Sequence, residues 1–466
     1  MTDAKSYFFC GIGGSGMLPL ATIVRAQGHE VAGSDRSLDQ GRLGGKFAFL
    51  EAQGIALFPQ DGSGVTSADQ IVVASAAVEE TVPDIVAANR VGAERLSRPE
   101  MLARLFNAAG AGIAVGGTSG KSTTTGMIGW ILHALGRDPT VMNGAVMKNF
   151  ASADRPFASA LVGKGDVFVS EVDESDGSIA LYRPDVAVLG NITLDHKSLD
   201  ELRMLFRDFV GRARIAALNL DDDETRRLAA TLPRGRMISF GFDDPAADLH
   251  GGDVVEAPLA ITFLVREGDR TVPVQLQVPG RHNAANALAA LAAVRAIGVD
   301  LAEAAEAIAG FTGLRRRFDV VGTAGGVSVI DDFGHNPDKI AATLKTLHAF
   351  PGRLLLMFQP HGYGPLKVMK DELIACFVEN MSEEDVLLMP DPVYFGGTVE
   401  RTVGTADIIA GVRDAGRQAE HIETRDGCGD RLIALSQPGD RIVVMGARDD
   451  TLSEFAAGLL ARLENR

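Results

Sequence analysis

The run Gly117-Thr118-Ser119-Gly120-Lys121-Ser122-Thr123 follows an apolar stretch, Gly112-Ile113-Ala114-Val115, and leads into Met127-Ile128-Gly129-Trp130-Ile131-Leu132. A short strand, a glycine turn and a helix opening on Lys-Ser-Thr would gather free backbone N–H groups, one ammonium and one hydroxyl around a point. That point suits a polyphosphate. The glycines admit its oxygens, the helix start offers unpaired donors and a positive dipole end, Lys121 reaches the outer phosphates, and Ser122 can ligate Mg²⁺. The usual spacing puts a glycine five residues before Gly120, where this chain has Val115, so the loop is a shortened one. The competing reading is a tight turn capped by Ser and Thr.

Two acidic segments follow. Val167 to Ser170 empties into Glu171-Val172-Asp173-Glu174-Ser175-Asp176, and Leu189-Gly190-Asn191-Ile192-Thr193-Leu194 ends in Asp195-His196. The carboxyl ends of parallel strands face a bound nucleotide, so Glu171 and His196 join Ser122 as candidate Mg²⁺ ligands. Asp173 and Asp176 read equally well as a solvated acidic loop. At Gly280-Arg281-His282-Asn283-Ala284-Ala285-Asn286 a polar patch opens an alanine-rich helix; its amides suit an adenine edge, and an ordinary helix cap is the alternative. Arg315-Arg316-Arg317-Phe318 and Asp331-Asp332-Phe333-Gly334-His335-Asn336-Pro337 flank the start of a third section. An arginine there can neutralise charge on a transferring phosphoryl group, against the plainer reading of a basic linker. Phe358-Gln359-Pro360-His361-Gly362 sits at a strand end, fit for a substrate carboxylate or polar tail.

A second glycine loop, Gly11-Ile12-Gly13-Gly14-Ser15-Gly16, lies between strand-like Tyr7 to Cys10 and helical Met17 to Gln27, with Asp35 closing a second strand from Val31. This is the form of a dinucleotide fingerprint and, read alone, it says NAD. The same turn serves any pyrophosphate, a UDP-sugar included, and a further phosphate loop downstream is unexpected in a simple dehydrogenase.

Holding these loops requires strands that alternate with helices, and the chain supplies them in the βαβ rhythm of an α/β protein. Ile71 to Ser75 reads as another buried strand, and Val91 to Asn107 as a polar, Pro-interrupted connection with a boundary near residue 108. Between Asp248 and Pro279 the pattern becomes short alternating runs, which predict a small antiparallel patch. Val327 to Ile330, Arg353 to Phe358 and Arg441 to Met445 read as parallel-sheet strands of the third section. With 466 residues, 46% of them hydrophobic, the chain can bury more than one core. No stretch approaches the roughly 18 apolar residues of a membrane span, and the start lacks a cleavage-site pattern, so a cytoplasmic protein is expected. Three scattered cysteines give neither a disulfide framework nor a zinc site, and the net charge of −16 argues against nucleic-acid or anionic-membrane partners.

In their order along the chain, these segments resemble the Mur ligase family over almost the whole length. The resemblance implies three domains: a Rossmann-like UDP-sugar module at 1–107, a central P-loop ATPase with a parallel sheet and antiparallel patch at 108–313, and a Rossmann-like amino-acid module at 314–466. It turns the first loop, Gly11, Gly13, Gly14, Ser15, Gly16 and Met17 with Asp35, toward the UDP-sugar. It implies ATP with Mg²⁺ held by Ser122, Glu171 and His196, Lys121 on the outer phosphates within the loop Gly117 to Thr123, and Arg317 on the transferred group. His282 and Asn286 would then face adenine, Asp331 the ribose, and His335 and His361 a free amino acid.

The implied reaction is amide formation through an acyl phosphate. Alanine-adding members usually carry Thr-His-Gly-Lys-Thr in the phosphate loop, His-His-Pro where this chain has His335-Asn336-Pro337, and an arginine where Gly362 stands. They also carry Tyr-Pro-Ala-Gly-Glu where this chain reads Pro390-Asp391-Pro392-Val393-Tyr394-Phe395-Gly396-Gly397. Ser for Thr keeps the hydroxyl. The missing arginine removes a bidentate carboxylate clamp, which points to another acceptor or to a replacement such as Lys367. Two further readings stand beside the muramate ligase: a related ligase of murein-peptide recycling or polyamino-acid synthesis, and an NAD-binding protein using the first loop.

Overall fold

The computed structural model describes residues 4–75, 78–193, 198–393, 401–447, 449 and 451–466. The chain divides into two compact units. One comprises Met1–Val255, Ile261–Gln277 and Arg281–Thr312; the other comprises Glu256–Ala260, Val278–Gly280 and Gly313–Arg466.

The first unit holds two sheets. The N-terminal one contains β1 (Ser6–Cys10), β2 (Glu30–Ser34), β3 (Ala56–Phe58), β4 (Gln70–Ala74) and β5 (Glu94–Ser97) in the order β3-β2-β1-β4-β5, all parallel. Its centre is apolar on both faces, as a sheet sandwiched between helices must be: Phe9 packs with Leu20 and Ile23 on one side, Phe8 with Val65 and Ile85 on the other. The strand order reverses at β1, so the loop starting at Gly11 leaves the sheet at its switch point, where ligands of such sheets bind.

The second sheet contains β6 (Ala111–Gly116), β7 (Thr140–Met142), β8 (Ala160–Leu161), β9 (Val167–Glu171), β10 (Val186–Leu189), β11 (Ile215–Asn219), β12 (Met237–Gly241), β13 (Leu249–Ala257), β14 (Ala260–Glu267) and β15 (Arg270–Leu276). Its order is β15-β14-β13-β12-β11-β10-β6-β9-β7-β8. Because β6 lies parallel between β10 and β9, the phosphate loop, Glu171 and the residues after Leu189 emerge at one edge. The expected antiparallel patch is β14 against β15. Ile261, Phe263 and Val265 are buried while Thr262 and Arg266 are exposed, the period of two of a strand with one covered face.

The second unit holds a sheet of β16 (Asp319–Ala324), β17 (Val327–Asp332), β18 (Leu354–Gln359), β19 (Val386–Met389), β20 (Gln418–His421) and β21 (Arg441–Gly446), in the order β16-β17-β21-β18-β19-β20. All neighbours are parallel except β16, which pairs antiparallel with β17 through an irregularity at Val320/Gly322. Alternate residues of β18 serve opposite cores: Leu354, Leu356 and Phe358 one, Leu355 and Met357 the other.

One reading of the sequence is corrected. Residues 91–107 are not a loose connection: they contain β5 and the helix Arg98–Asn107. Pro99 lies in the helix's first turn, where its missing N–H costs nothing, and Ser97 with Glu100 closes a capping box, so the proline marks a start and not a break. The three cysteines are free and buried, and burial pushes Cys10 and Cys428 up to about 12 and Cys376 to about 11. Among the described residues, no helix is long and apolar enough to cross a membrane.

Candidate active site

The helix Lys121–Ala134 starts at Gly120, which is left-handed at φ 82° and gives the helix no side-chain cap. An uncapped start leaves first-turn N–H groups for an anion. Gly117 is also at positive φ, 126°, with the backbone of Gly190 and Asn191 against the face a side chain would occupy. Asn191 staples the loop. Its Oδ1 accepts from Ser119 N at 2.9 Å, its Nδ2 donates to Ser119 O at 3.1 Å, and its carbonyl accepts from Thr118 N at 3.3 Å. Thr118 Oγ1 accepts from Thr193 N at 2.9 Å and donates to Thr193 O at 3.1 Å.

Two carboxylates divide the cationic and hydroxyl groups between them. Ser122 Oγ donates to Glu171 Oε2 at 2.7 Å, while Lys121 Nζ donates to Glu174 Oε1 and Oε2 at 3.1 and 2.9 Å and to Gly117 O at 2.7 Å. A hydroxyl and a carboxylate oxygen converging from the loop and from the end of β9 form a hard-oxygen pair suited to Mg²⁺, which takes few protein ligands and completes its shell with phosphates and water. Among the described residues no cluster of three His, Cys, Asp or Glu forms a self-sufficient metal site. His196, the expected third ligand, lies outside the described residues. Burial pushes the Asp173 carboxyl up, but hydrogen bonds from Ser175 and the field of Lys121 outweigh it and leave Asp173 below its ordinary range.

Asn286 comes to the loop from the helix Arg281–Ala296, accepting from Thr124 Oγ1 at 3.4 Å and lying against Gly120. His282 is exposed at the start of that helix. Sequence reasoning missed two braces here. Glu174 was visible only as one acid in a run, and Asn143, 1% exposed, donates to Ser122 O at 2.9 Å from the end of β7.

At the first loop, Gly11 takes φ 83°, and the N–H groups of Gly11 and Ile12 both donate to Ser34 O, at 2.8 and 3.0 Å. Asp35, 8% exposed, is committed: Oδ2 accepts from Gly13 N and Oδ1 from Ser37 N, both at 2.8 Å. In a dinucleotide site this acid would reach a ribose; here it holds the loop. Gly14 and Ser15 are exposed, Gly16 half-buried and Met17 buried. Lys46 Nζ lies 3.5 Å from Gly13 O and the Arg98 side chain packs over Gly16, two cations that the sequence alone did not single out.

In the second unit, Arg316 and Phe318 adopt positive φ, 60° and 48°, unusual for such side chains, and the turn they form presents Arg317 4.3 Å over the Phe333 ring. His335 Nδ1 donates to Phe333 O at 2.9 Å, and the ring meets His361 edge to face at 5.9 Å. Burial lowers His335 to about 4. Asp331 is fully buried, with Oδ2 accepting from Ser453 Oγ at 2.7 Å and Oδ1 3.6 Å from Arg316 Nε, and burial raises it to about 6 against the pull of Arg316. For Asp331 to face a ribose, that cluster must open. Lys367 is exposed on the short helix Tyr363–Val368, and residues 394–397 of the divergent segment lie outside the described residues.

Family models match in sequence along the chain: the Mur ligase family catalytic domain over residues 6–109, the Mur ligase middle domain over 115–294, and the Mur ligase glutamate ligase domain over 316–448. The UDP-N-acetylmuramate–L-alanine ligase of Agrobacterium fabrum is 34% identical, over 98% of this chain and 96% of that protein. Its counterpart from a Jannaschia species is 35% identical, over 100% and 96%. The crystal structure of the UDP-N-acetylmuramate–alanine ligase from Thermotoga maritima shares the fold, with a TM-score of 0.79 at 24% identity and 99% of each chain covered. The chain belongs to the Mur ligase family.

Proposed function

We propose that this protein is an ATP-dependent ligase that joins an amino acid, L-alanine in the first instance, to the carboxylate of UDP-N-acetylmuramate in peptidoglycan precursor synthesis, a cytoplasmic reaction. Full-length similarity to ligases of that name supports the substrate pair. The observation that carries the chemistry is the convergence of Lys121, Ser122 and Glu171 on one loop mouth. We divide the chain at 1–107 for the sugar nucleotide, 108–313 for ATP and 314–466 for the amino acid.

The substrate carboxylate oxygen attacks the γ-phosphorus of ATP and ADP leaves, giving an acyl phosphate. The amine of the amino acid then attacks the acyl carbon, the tetrahedral intermediate expels phosphate, and the amide forms with loss of a proton. No protein nucleophile is required, so the work is position and charge. Lys121 and the Gly117 to Thr123 backbone bind the phosphates. Ser122 and Glu171, with His196, would hold Mg²⁺, which supplies charge neutralisation between the phosphates. Asn286 and His282 are assigned to adenine, the first loop with Asp35 as its brace to the UDP part, Arg317 to the transferred phosphoryl group, and His335 and His361 to the amino acid.

Phosphate release measured with ATP, UDP-N-acetylmuramate and each amino acid tests the reading. Turnover with L-alanine supports it; turnover only with peptides or another carboxylate moves the protein to a different branch of the family, and no turnover with any amino acid rejects the muramate assignment. Asp35 is engaged with Gly13 and Ser37, and the full-length relatives are ligases, so the NAD reading is not favoured.

A further inference from the structure

Glu174 stands three residues beyond Glu171, yet it serves a different group. Its side chain is 8% exposed, both of its oxygens lie within 3.1 Å of Lys121 Nζ, and the lysine is itself largely covered. Glu171 meanwhile takes the Ser122 hydroxyl. The ammonium expected to meet the outer phosphates is thus already neutralised by a buried carboxylate, and an arriving polyphosphate must take the lysine from Glu174 or share it.

We infer that Glu174 is a positioning residue that stands in for the nucleotide's outer phosphate: it holds the Lys121 ammonium at the loop mouth until ATP displaces it. This inference rests on the ATP reading of the loop. Without a partner acid, a largely covered ammonium would turn toward water, so Glu174 keeps it aimed at the loop. The arrangement also weakens nucleotide binding, because the acid competes with the phosphates for the lysine. The Gly117 carbonyl, 2.7 Å from Nζ, keeps the lysine aimed when Glu174 lets go.

Glu174→Gln removes the charge and keeps the volume and one acceptor. Calorimetry of Mg·ATP with the full chain should show binding at least about threefold tighter than the parent, with a matching fall in KM for ATP. In a Lys121→Ala background the same substitution should change the affinity by less than about twofold, since the effect passes through the lysine. Glu174→Asp, which keeps the charge, should stay near the parent and serves as the folding control. Equal or weaker ATP binding by Glu174→Gln, or tightening that persists without Lys121, overturns the inference while leaving the ligase reading in place. A parent chain that takes up no Mg·ATP overturns that reading, and the inference falls with it.

Discussion

Gly120→Ala puts the geometry of the phosphate loop to a quantitative test. At φ 82° an alanine suffers the left-handed penalty of about 1–2 kcal/mol. Its Cβ would also run into Asn286 Oδ1, with Asn286 Cγ only 3.3 Å away. The amide must swing aside, and its contacts with Thr124 Oγ1 and Asn283 Oδ1, both 3.4 Å, go with it; such long bonds are worth about 1 kcal/mol together. The sum is about 2–3 kcal/mol of lost stability in the first unit, read as a lowered urea midpoint. Mg·ATP affinity should fall by at least about tenfold, because the first-turn donors are re-aimed. Gly211→Ala is the matched control. Gly211 lies in the helix Leu199–Arg212 with nothing within 4 Å of an added Cβ, so alanine there should stabilise by about 0.5–1 kcal/mol and leave ATP binding alone. If Gly120→Ala keeps the parent's midpoint and binds ATP within about twofold, the loop is not the cradle described.

Other expectations follow from single groups. Ser122→Ala should cut turnover by about a hundredfold or more and Ser122→Thr should retain most of it, checked by phosphate release, since only the hydroxyl pairs with Glu171. Asp35→Ala frees Gly13 N and should raise KM for the UDP-sugar by about tenfold while leaving the Mg·ATP dissociation constant unchanged in calorimetry. Asp331 and His335 oppose each other in acid. Asp331, raised to about 6, binds its proton more tightly folded than unfolded, so its contribution to stability falls as pH rises from about 4 to 6. His335, lowered to about 4, does the reverse, losing stability as pH falls through the same window. Relative to the parent, Asp331→Asn should therefore unfold with a more positive stability slope between pH 4 and 6, and His335→Gln with a more negative one, each by at most about 1.4 kcal/mol per pH unit. Urea titrations at stepped pH that show slopes of the same sign would refute the assignment.

The loops were legible because strand, glycine turn and helix are contiguous and their chemistry is local. Lys121, Ser122 and the emergence of Glu171 from a buried run could be read directly, as could the period-two patch that became β14 and β15. What brings those residues to use was not legible. Lys121 meets Glu174 across 53 positions, Ser119 meets Asn191 across 72 and Thr124 meets Asn286 across 162. Such pairings depend on which strands lie side by side, and β6 between β9 and β10 is a property of the sheet and not of any window of sequence. Arg98 was hidden by the misreading of Pro99, since a helix start taken for a break conceals the side chain that the helix aims at Gly16. The role given to Asp35 by its motif also changed. The fingerprint locates the acid, but only the loop's own hydrogen bonds show that it braces the turn.

The three sequestered sulfurs give the molecule a set of native reporters. Thiolate is the species that alkylates, and with their protons held so firmly these side chains should ignore iodoacetamide at neutral pH while the chain stays closed. Cys10 ends β1, whereas Cys376 and Cys428 lie on helices flanking the C-terminal sheet. Modification rates resolved by peptide mass would therefore clock the opening of the N-terminal sheet separately from that of the C-terminal one, without a single engineered label.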